Sequence, residues 1–193
     1  MTVSQVLEWI GFVTGVLCVW WVVKERVANW PLGIVNCLAW LVLLWMNAIY
    51  LNALLQIVYI VISLYGWWHW LYGGPARDAL PVRRATHDER LRALALVLVG
   101  TLVGTRLMQL VGDAAPVWDA CTMITSITAI WWQAKKIYES WMLWLTVDVV
   151  YFGLYGSQDL WLTALTQVAF GAMCIVGLRD WRRSMQLEAV TAA

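Results

Sequence analysis

The sequence predicts an all-α integral membrane protein with seven transmembrane helices, arranged as two parallel three-helix repeats joined by a connector helix. Three observations lead there. The 193 residues are 62% hydrophobic and 13% charged, with a mean hydropathy of +0.69. Soluble domains run at about 45–50% apolar, so a chain this short has no interior large enough to hide that surface. Sliding the sequence by 111 positions, without a gap, matches about 14 of the 66 positions from Gln5 to Trp70. The matches include Trp20, Trp21 and Lys24 with Trp131, Trp132 and Lys135, Trp30 with Trp141, Gln56 with Gln167, Gly66 with Gly177, and Trp70 with Trp181. Finally, 12 of the 13 Lys and Arg residues fall on one side of the membrane under this topology.

A hydrocarbon core of about 30 Å needs roughly 20 apolar residues in helical form. That yardstick gives spans near 4–23, 32–47, 51–71, 91–111, 117–134, 141–155 and 160–178. The N-terminus has no basic region followed by a small-residue cleavage site, so the first run reads as a retained span. Pro31 opens the second span, at a first turn where its missing N–H costs nothing. The stretch 47–52 makes a tight hinge into span three, which Gly73-Gly74-Pro75 ends. The chain therefore divides into a first repeat over 4–71, a cytoplasmic loop over 72–90, a connector over 91–111, a second repeat over 116–181 and a cytoplasmic tail over 182–193. A single connector between two three-span units makes both point the same way, with a substrate site expected at mid-bilayer where the bundles face each other.

The basic residues set the orientation. Lys24 and Arg26, then Arg77, Arg83, Arg84, Arg90 and Arg92, then Lys135 and Lys136, then Arg179, Arg182 and Arg183 share one face, and only Arg106 is left over. The positive-inside rule puts that face, with the C-terminus, in the cytoplasm and the N-terminus outside.

Polar groups facing lipid are costly, so those deep in spans should face the bundle interior. Gln56, Tyr59, Ser63 and Trp67 are spaced 3, 4 and 4 apart and share one face of span three. That face suits a cavity wall, or else interhelical hydrogen bonding with Gln56 and Gln167 as matching partners. Asn36 and Trp40 of span two extend the wall. In the second copy Trp144, Asp148 and Tyr151 share a face, with no Lys or Arg within a turn of Asp148. Such a carboxylate is open to three uses: pairing with a cationic ligand, taking up a proton, or staying protonated as a donor. The aromatic surroundings favour the first, since Trp and Tyr faces attract cations and stack on flat heterocycles.

Most of the sixteen tryptophans read as belt or packing residues, with Trp9, Trp30, Trp118, Trp141 and Trp161 as interfacial anchors. Gly11-x-x-x-Gly15 and Gly100-x-x-x-Gly104 permit close helix contact, within the bundle or between protomers. Cys18, Cys37, Cys121 and Cys174 lie in apolar segments without CxxC spacing and read as packing thiols. The chain has no HExxH, GxSxG or glycine-rich phosphate loop, and the last span has no lysine for a Schiff base. His69 and His87 have no metal-ligand partners in sequence. No metal, cofactor or enzymatic activity is expected, and no basic stripe points to nucleic acid.

The run Leu54-Leu55-Gln56 followed by Tyr65-Gly66-Trp67-x-x-Trp70, with Asp119-x-Cys121, Ser126 and Lys135-Lys136-x-x-Glu139-x-Trp141-x-x-Trp144, resembles the PnuC-type nicotinamide riboside transporters of bacteria. The likeness spans nearly all seven helices and omits the 77–90 loop and the tail. It implies an architecture like that of the SWEET sugar transporters, a homotrimer in the bacterial inner membrane surrounded by lipid, and facilitated diffusion of nicotinamide riboside by alternating access. It also implies a cytoplasmic riboside kinase that traps the substrate. Asp148 departs from the pattern, since related sequences carry Asn near the middle of span six. The ligand is a flat pyridinium cation with a carboxamide and a ribose. Gln56 is expected to bond the carboxamide or ribose and Trp67 or Trp144 to stack on the ring, with Asn36, Trp40, Tyr59, Ser63, Asp148 and Tyr151 completing the site. The competing readings are a SWEET-like sugar or other vitamin or nucleoside uniporter, and a non-transporting scaffold.

Overall fold

The computed structural model describes residues 2–75, 78–110, 112, 115–157, 159 and 161–191. Arg77 and the expected span ends at Val111 and Leu160 lie outside the described residues. Among the described residues seven helices form: α1 (Val3–Val23), α2 (Asn29–Met46), α3 (Tyr50–Tyr72), α4 (His87–Leu110), α5 (Pro116–Ala134), α6 (Ser140–Ser157) and α7 (Trp161–Thr191). By length and composition α1 to α4 are long and apolar enough to cross a membrane. The helices of the second half are more polar, and α5 shows why: Thr122, Thr125, Ser126 and Thr128 are all buried against its neighbours rather than presented outward.

Local signals place the helix ends. Thr2 caps α1, its hydroxyl accepting from the Gln5 N–H while the Gln5 side chain accepts from the Thr2 N–H. Pro116 opens α5 at its first residue. Helix α2 starts at Asn29, whose side chain donates to the Arg26 carbonyl at 2.6 Å and fastens the turn before Pro31. Helix α7 continues to Thr191, through the stretch expected as a tail, because 184–191 is rich in residues that favour helix. Among the described residues, the non-glycine residues in a left-handed conformation sit in the tight turns: Glu25 (φ 53°), Ala48 (φ 59°), Lys136 (φ 48°) and Asp159 (φ 59°). Glu25 with Lys136, and Ala48 with Asp159, are each 111 positions apart.

The core repeats the same offset. Trp30 lies against Gly66, where an added Cβ would come within 2.5 Å of the indole, and Trp141 lies against Gly177, where it would come within 2.4 Å. Trp30 meets Trp70 edge-on with ring centroids 5.4 Å apart, and Trp141 meets Trp181 edge-on at 5.5 Å. The Trp70 indole N–H donates to the Gln133 carbonyl (3.0 Å) and that of Trp181 to the Val22 carbonyl (3.1 Å), so each half reaches into the other. Trp30 and Trp141 are therefore not interfacial anchors: both are 2% exposed. A glycine opposite each lets a large ring lie directly on a neighbouring helix backbone. Trp9, Trp118 and Trp161 remain exposed, as anchors would be.

The small-residue stripes serve contacts within the chain. Gly11 accepts the Trp40 ring and Gly15 the Asn36 amide, joining α1 to α2; Gly100 faces Ile124 and Gly104 faces Ala120, joining α4 to α5. Helix α4 presents Leu98, Leu102 and Leu107 outward, the arrangement a lipid-facing surface needs.

The loop before α4 folds back over one end of the bundle. Leu80, Val82 and Ala85 are buried there, and the backbone N–H of Arg83 donates to the Lys136 carbonyl while that of Tyr138 donates to the Arg83 carbonyl. Arg83 pairs with both carboxylate oxygens of Glu89 at 2.7 Å, which raises its guanidinium pKa further above the ordinary value. Glu139 accepts from the Ala85 N–H (2.8 Å) and from Arg90 (2.7 Å). Lys24 pairs with Asp180 (2.7 Å) and Lys136 with Glu25 (2.8 Å), so the end of α1 is tied both to α7 and to the end of α5 on this basic face.

Candidate functional site

A cavity of about 1050 Å³ lies between the two halves, with walls from α1, α2, α3, α5, α6 and α7 and no lining residue from α4. It begins at exposed Glu8, Trp9 and Phe12 and ends at buried Val22, Trp30 and Trp141. Below that floor, Trp70 and Trp181 (1% and 0% exposed) face each other with ring centroids 6.0 Å apart, and the Glu25–Lys136 pair follows. The Lys136 ammonium also lies 4.8 Å from the centre of a Trp70 ring, a cation–π contact. The cavity thus reaches the surface at one end and is sealed at the basic end.

Seven of the nine expected site residues line it. On α2, the Asn36 amide donates to the Gly11 carbonyl (2.5 Å) and the Thr14 hydroxyl (3.0 Å), which leaves its carbonyl oxygen as the group on offer. The Trp40 indole packs against Gly11 beside it. On α3, Gln56, Tyr59 and Ser63 share the cavity face, as their spacing requires. The Tyr59 hydroxyl is 2.5 Å from Ser126 Oγ, and because Ser126 donates to the Met123 carbonyl (2.9 Å), Tyr59 is the donor to Ser126. On α6, Trp144 and Asp148 face inward; the Trp144 indole N–H donates to Gln133 Oε1 (2.7 Å), which fixes the ring. Asp148 Oδ2 accepts from the Cys174 thiol at 3.5 Å.

The other two are placed differently. Trp67 is 37% exposed and outside the cavity, because Trp30 packed on Gly66 closes the floor before the level of Trp67 is reached. Tyr151 stands behind the wall, stacked on Tyr155 (5.5 Å between centroids, planes 15° apart), and Tyr155 is the ring that lines the cavity. Gln167, which the sequence offered for interhelical bonding, lines the cavity opposite Gln56, its counterpart at the 111 offset. Gln133, Thr166 and Phe170 also line it without having been expected there from sequence, and so does Cys174, which reads in sequence as a packing thiol. The one signal for Gln133 was a lone amide in the apolar end of span five; its partner Trp144 sits on another helix, which spacing along one helix cannot reveal. No group of three His, Cys, Asp or Glu side chains fit to hold a metal ion occurs among the described residues, and all four cysteines are free thiols.

An aromatic and polar cavity, open at one end between two halves of a helical bundle, has the layout of a transport site for a small organic solute. Residues 5–183 match the family model described as nicotinamide mononucleotide transporter, and the chain belongs to that family. It is 25% identical over 204 residues to the nicotinamide riboside transporter PnuC of Escherichia coli K12, covering 92% of this chain and 85% of that protein. It is 32% identical over 130 residues to the riboflavin/roseoflavin transporter RibM of Streptomyces davaonensis, covering 65% of this chain and 61% of RibM. Its fold matches a crystal structure of the vitamin B3 transporter PnuC with a TM-score of 0.73 at 23% identity, over 93% of this chain and 82% of that one. Relatives with these names are transporters, and the chain is a PnuC-type transporter rather than an enzyme.

Proposed function

We propose that this protein imports nicotinamide riboside across the bacterial inner membrane by facilitated diffusion with alternating access, and that a cytoplasmic riboside kinase traps the product. The observation that carries the reading is the cavity between the halves, where carboxamide-compatible groups (Gln56, Gln167, Asn36) stand beside aromatic faces (Trp40, Trp144). A flat heterocycle with an amide and a ribose needs that combination. Substrate contacts are assigned to Asn36, Trp40, Gln56, Tyr59, Ser63, Trp144 and Asp148, with Tyr151 supporting Tyr155 from behind.

All seven helices span the membrane in this reading, as two parallel three-helix repeats joined by α4 in a SWEET-like arrangement. The recurrence at an offset of 111 of the Trp–Gly contacts, the Trp–Trp pairs, the cross-half hydrogen bonds and the left-handed turns supports it. The basic face is cytoplasmic and the Glu8 end external, which makes the conformation described above outward-open. Rocking of the two bundles would part Trp70 from Trp181 and Glu25 from Lys136 to open the other side. Three chains assemble as a homotrimer in lipid.

The deciding experiment is calorimetric titration of detergent-purified protein with nicotinamide riboside, its phosphorylated mononucleotide, nicotinamide, riboflavin and a hexose. Saturable heat with the riboside that Gln56→Ala weakens is the expected result; heat with the hexose alone would replace the substrate class, and silence with all five would refute transport of this class. The likeness to RibM makes riboflavin the second reading, and heat with riboflavin alone would establish it.

A further inference from the structure

Building on the proposed function, we infer that Asp148 makes the cavity a charge filter, selecting planar heteroaromatic cations over uncharged molecules of the same shape. Asp148 lies midway along α6, half-buried, on the cavity wall. Its hydrogen-bond partner is the Cys174 thiol at 3.5 Å, a weak donor that leaves most of the carboxylate's acceptor capacity unused. None of the described residues lining the cavity is Lys, Arg or His, so the wall supplies no counter-charge. Glu8, the other carboxylate in the lining, is exposed at the mouth and adds charge of the same sign.

A ligand that fills the cavity strips water from this half-buried carboxylate, and a cation offsets that cost by pairing with it at the moment of binding. An uncharged ligand of equal shape leaves it standing. The neighbouring aromatic group reinforces the preference. Trp144 is one turn before Asp148, and its N–H is already given to Gln133, so what it offers a ligand is its π face, which attracts cations. The charge is also one-sided: the position 111 residues earlier is Cys37, which lines the cavity too but carries no charge. The positive ring is therefore drawn to the α6 and α7 wall, leaving the ribose and amide groups to Gln56, Tyr59 and Ser63 on α3.

The test compares two matched pairs by titration, nicotinamide riboside against its uncharged dihydro form and the 1-methylnicotinamide cation, methylated on the ring nitrogen, against nicotinamide, in the wild type, Asp148→Asn and Asp148→Glu. The wild type should favour the charged member of each pair by about tenfold or more, the ratio expected for a charge-assisted contact. Asp148→Asn should bring both ratios to within about twofold, and an unfolding temperature close to that of the wild type reports that the variant is folded. Asp148→Glu, which keeps the charge, should keep the preference. A wild-type ratio near one, or a ratio that Asp148→Asn leaves unchanged, overturns the filter while binding of the riboside leaves the transport reading intact. Absence of binding by any of the four compounds overturns both.

Discussion

Replacing Gly177 by alanine should destabilise the protein through a single atom. The added Cβ would stand 2.4 Å from Cε2 of Trp141 and 2.6 Å from Cδ2 and Cζ2, where ordinary contact begins at 3.4 Å. The indole would have to retreat by about 1 Å, and it has nowhere to go: Trp141 is 2% exposed and held edge-on against Trp181. Overpacking of this kind costs about 1–3 kcal/mol, and a rigid buried ring places the site toward the top of that range. Alanine returns roughly 0.5–1 kcal/mol through its better helix propensity, leaving a net loss of about 1–2.5 kcal/mol. For a chain of this size that is a fall in Tm of about 2–10 °C. Gly66→Ala, with its Cβ 2.5 Å from Trp30, should behave alike. Gly153→Ala is the control, since nothing lies within 4 Å of its Cβ, and it should hold or raise Tm. The assay is tryptophan fluorescence during thermal unfolding in one detergent. A Gly177→Ala protein as stable as Gly153→Ala would refute the packing argument.

Three further outcomes follow from the geometry. Trp144→Ala should weaken binding of the riboside by about tenfold or more through loss of a stacking face, whereas Trp67→Ala, off the cavity, should leave affinity within about twofold by the same titration. Glu25→Lys or Lys136→Glu puts like charges together beneath the Trp70–Trp181 contact, so each should slow uptake into proteoliposomes and raise labelling of a cysteine placed at Val22 by a reagent added from the cytoplasmic side; the charge-swapped double variant should recover most of both, and no recovery would refute the ion-pair lock. Glu139→Ala removes the acceptor for Ala85 N–H and for Arg90, and hydrogen exchange across 80–86 should quicken while riboside affinity holds; unchanged exchange would show that the loop is secured by Leu80 and Val82 alone.

Much of this was legible in the sequence because the membrane restricts what a chain can do. Apolar length marked out the helices, and the 3.6-residue period put Gln56, Tyr59 and Ser63 on one wall and Trp144 and Asp148 on another. Depth was harder to read. Trp67 satisfies the same period as Ser63, yet whether it reaches the cavity depends on where Trp30 closes the floor, a contact between helices whose positions no periodicity encodes. Trp30 and Trp141 looked like anchors because tryptophan near a span end usually is one; Gly66 and Gly177 on other helices decided otherwise. Gln133 was missed for a similar reason, since its partner Trp144 is a near neighbour only after α5 and α6 pack.

Glu25 and Lys136 hold corresponding positions in the two halves, each in a left-handed turn, and meet at the basic end of the bundle at 2.8 Å with opposite charges. Two identical halves would bring the same residue face to face with itself there, and the contact would repel. The pair is therefore open only to halves that differ, and it tells each of them which surface to seek. In a crowded membrane, where several newly made chains lie side by side, a first half that docks on another first half meets Glu25 with Glu25 and is turned away. The contact works as an address between the two kinds of half: a first half is matched to a second half and refused by another first half.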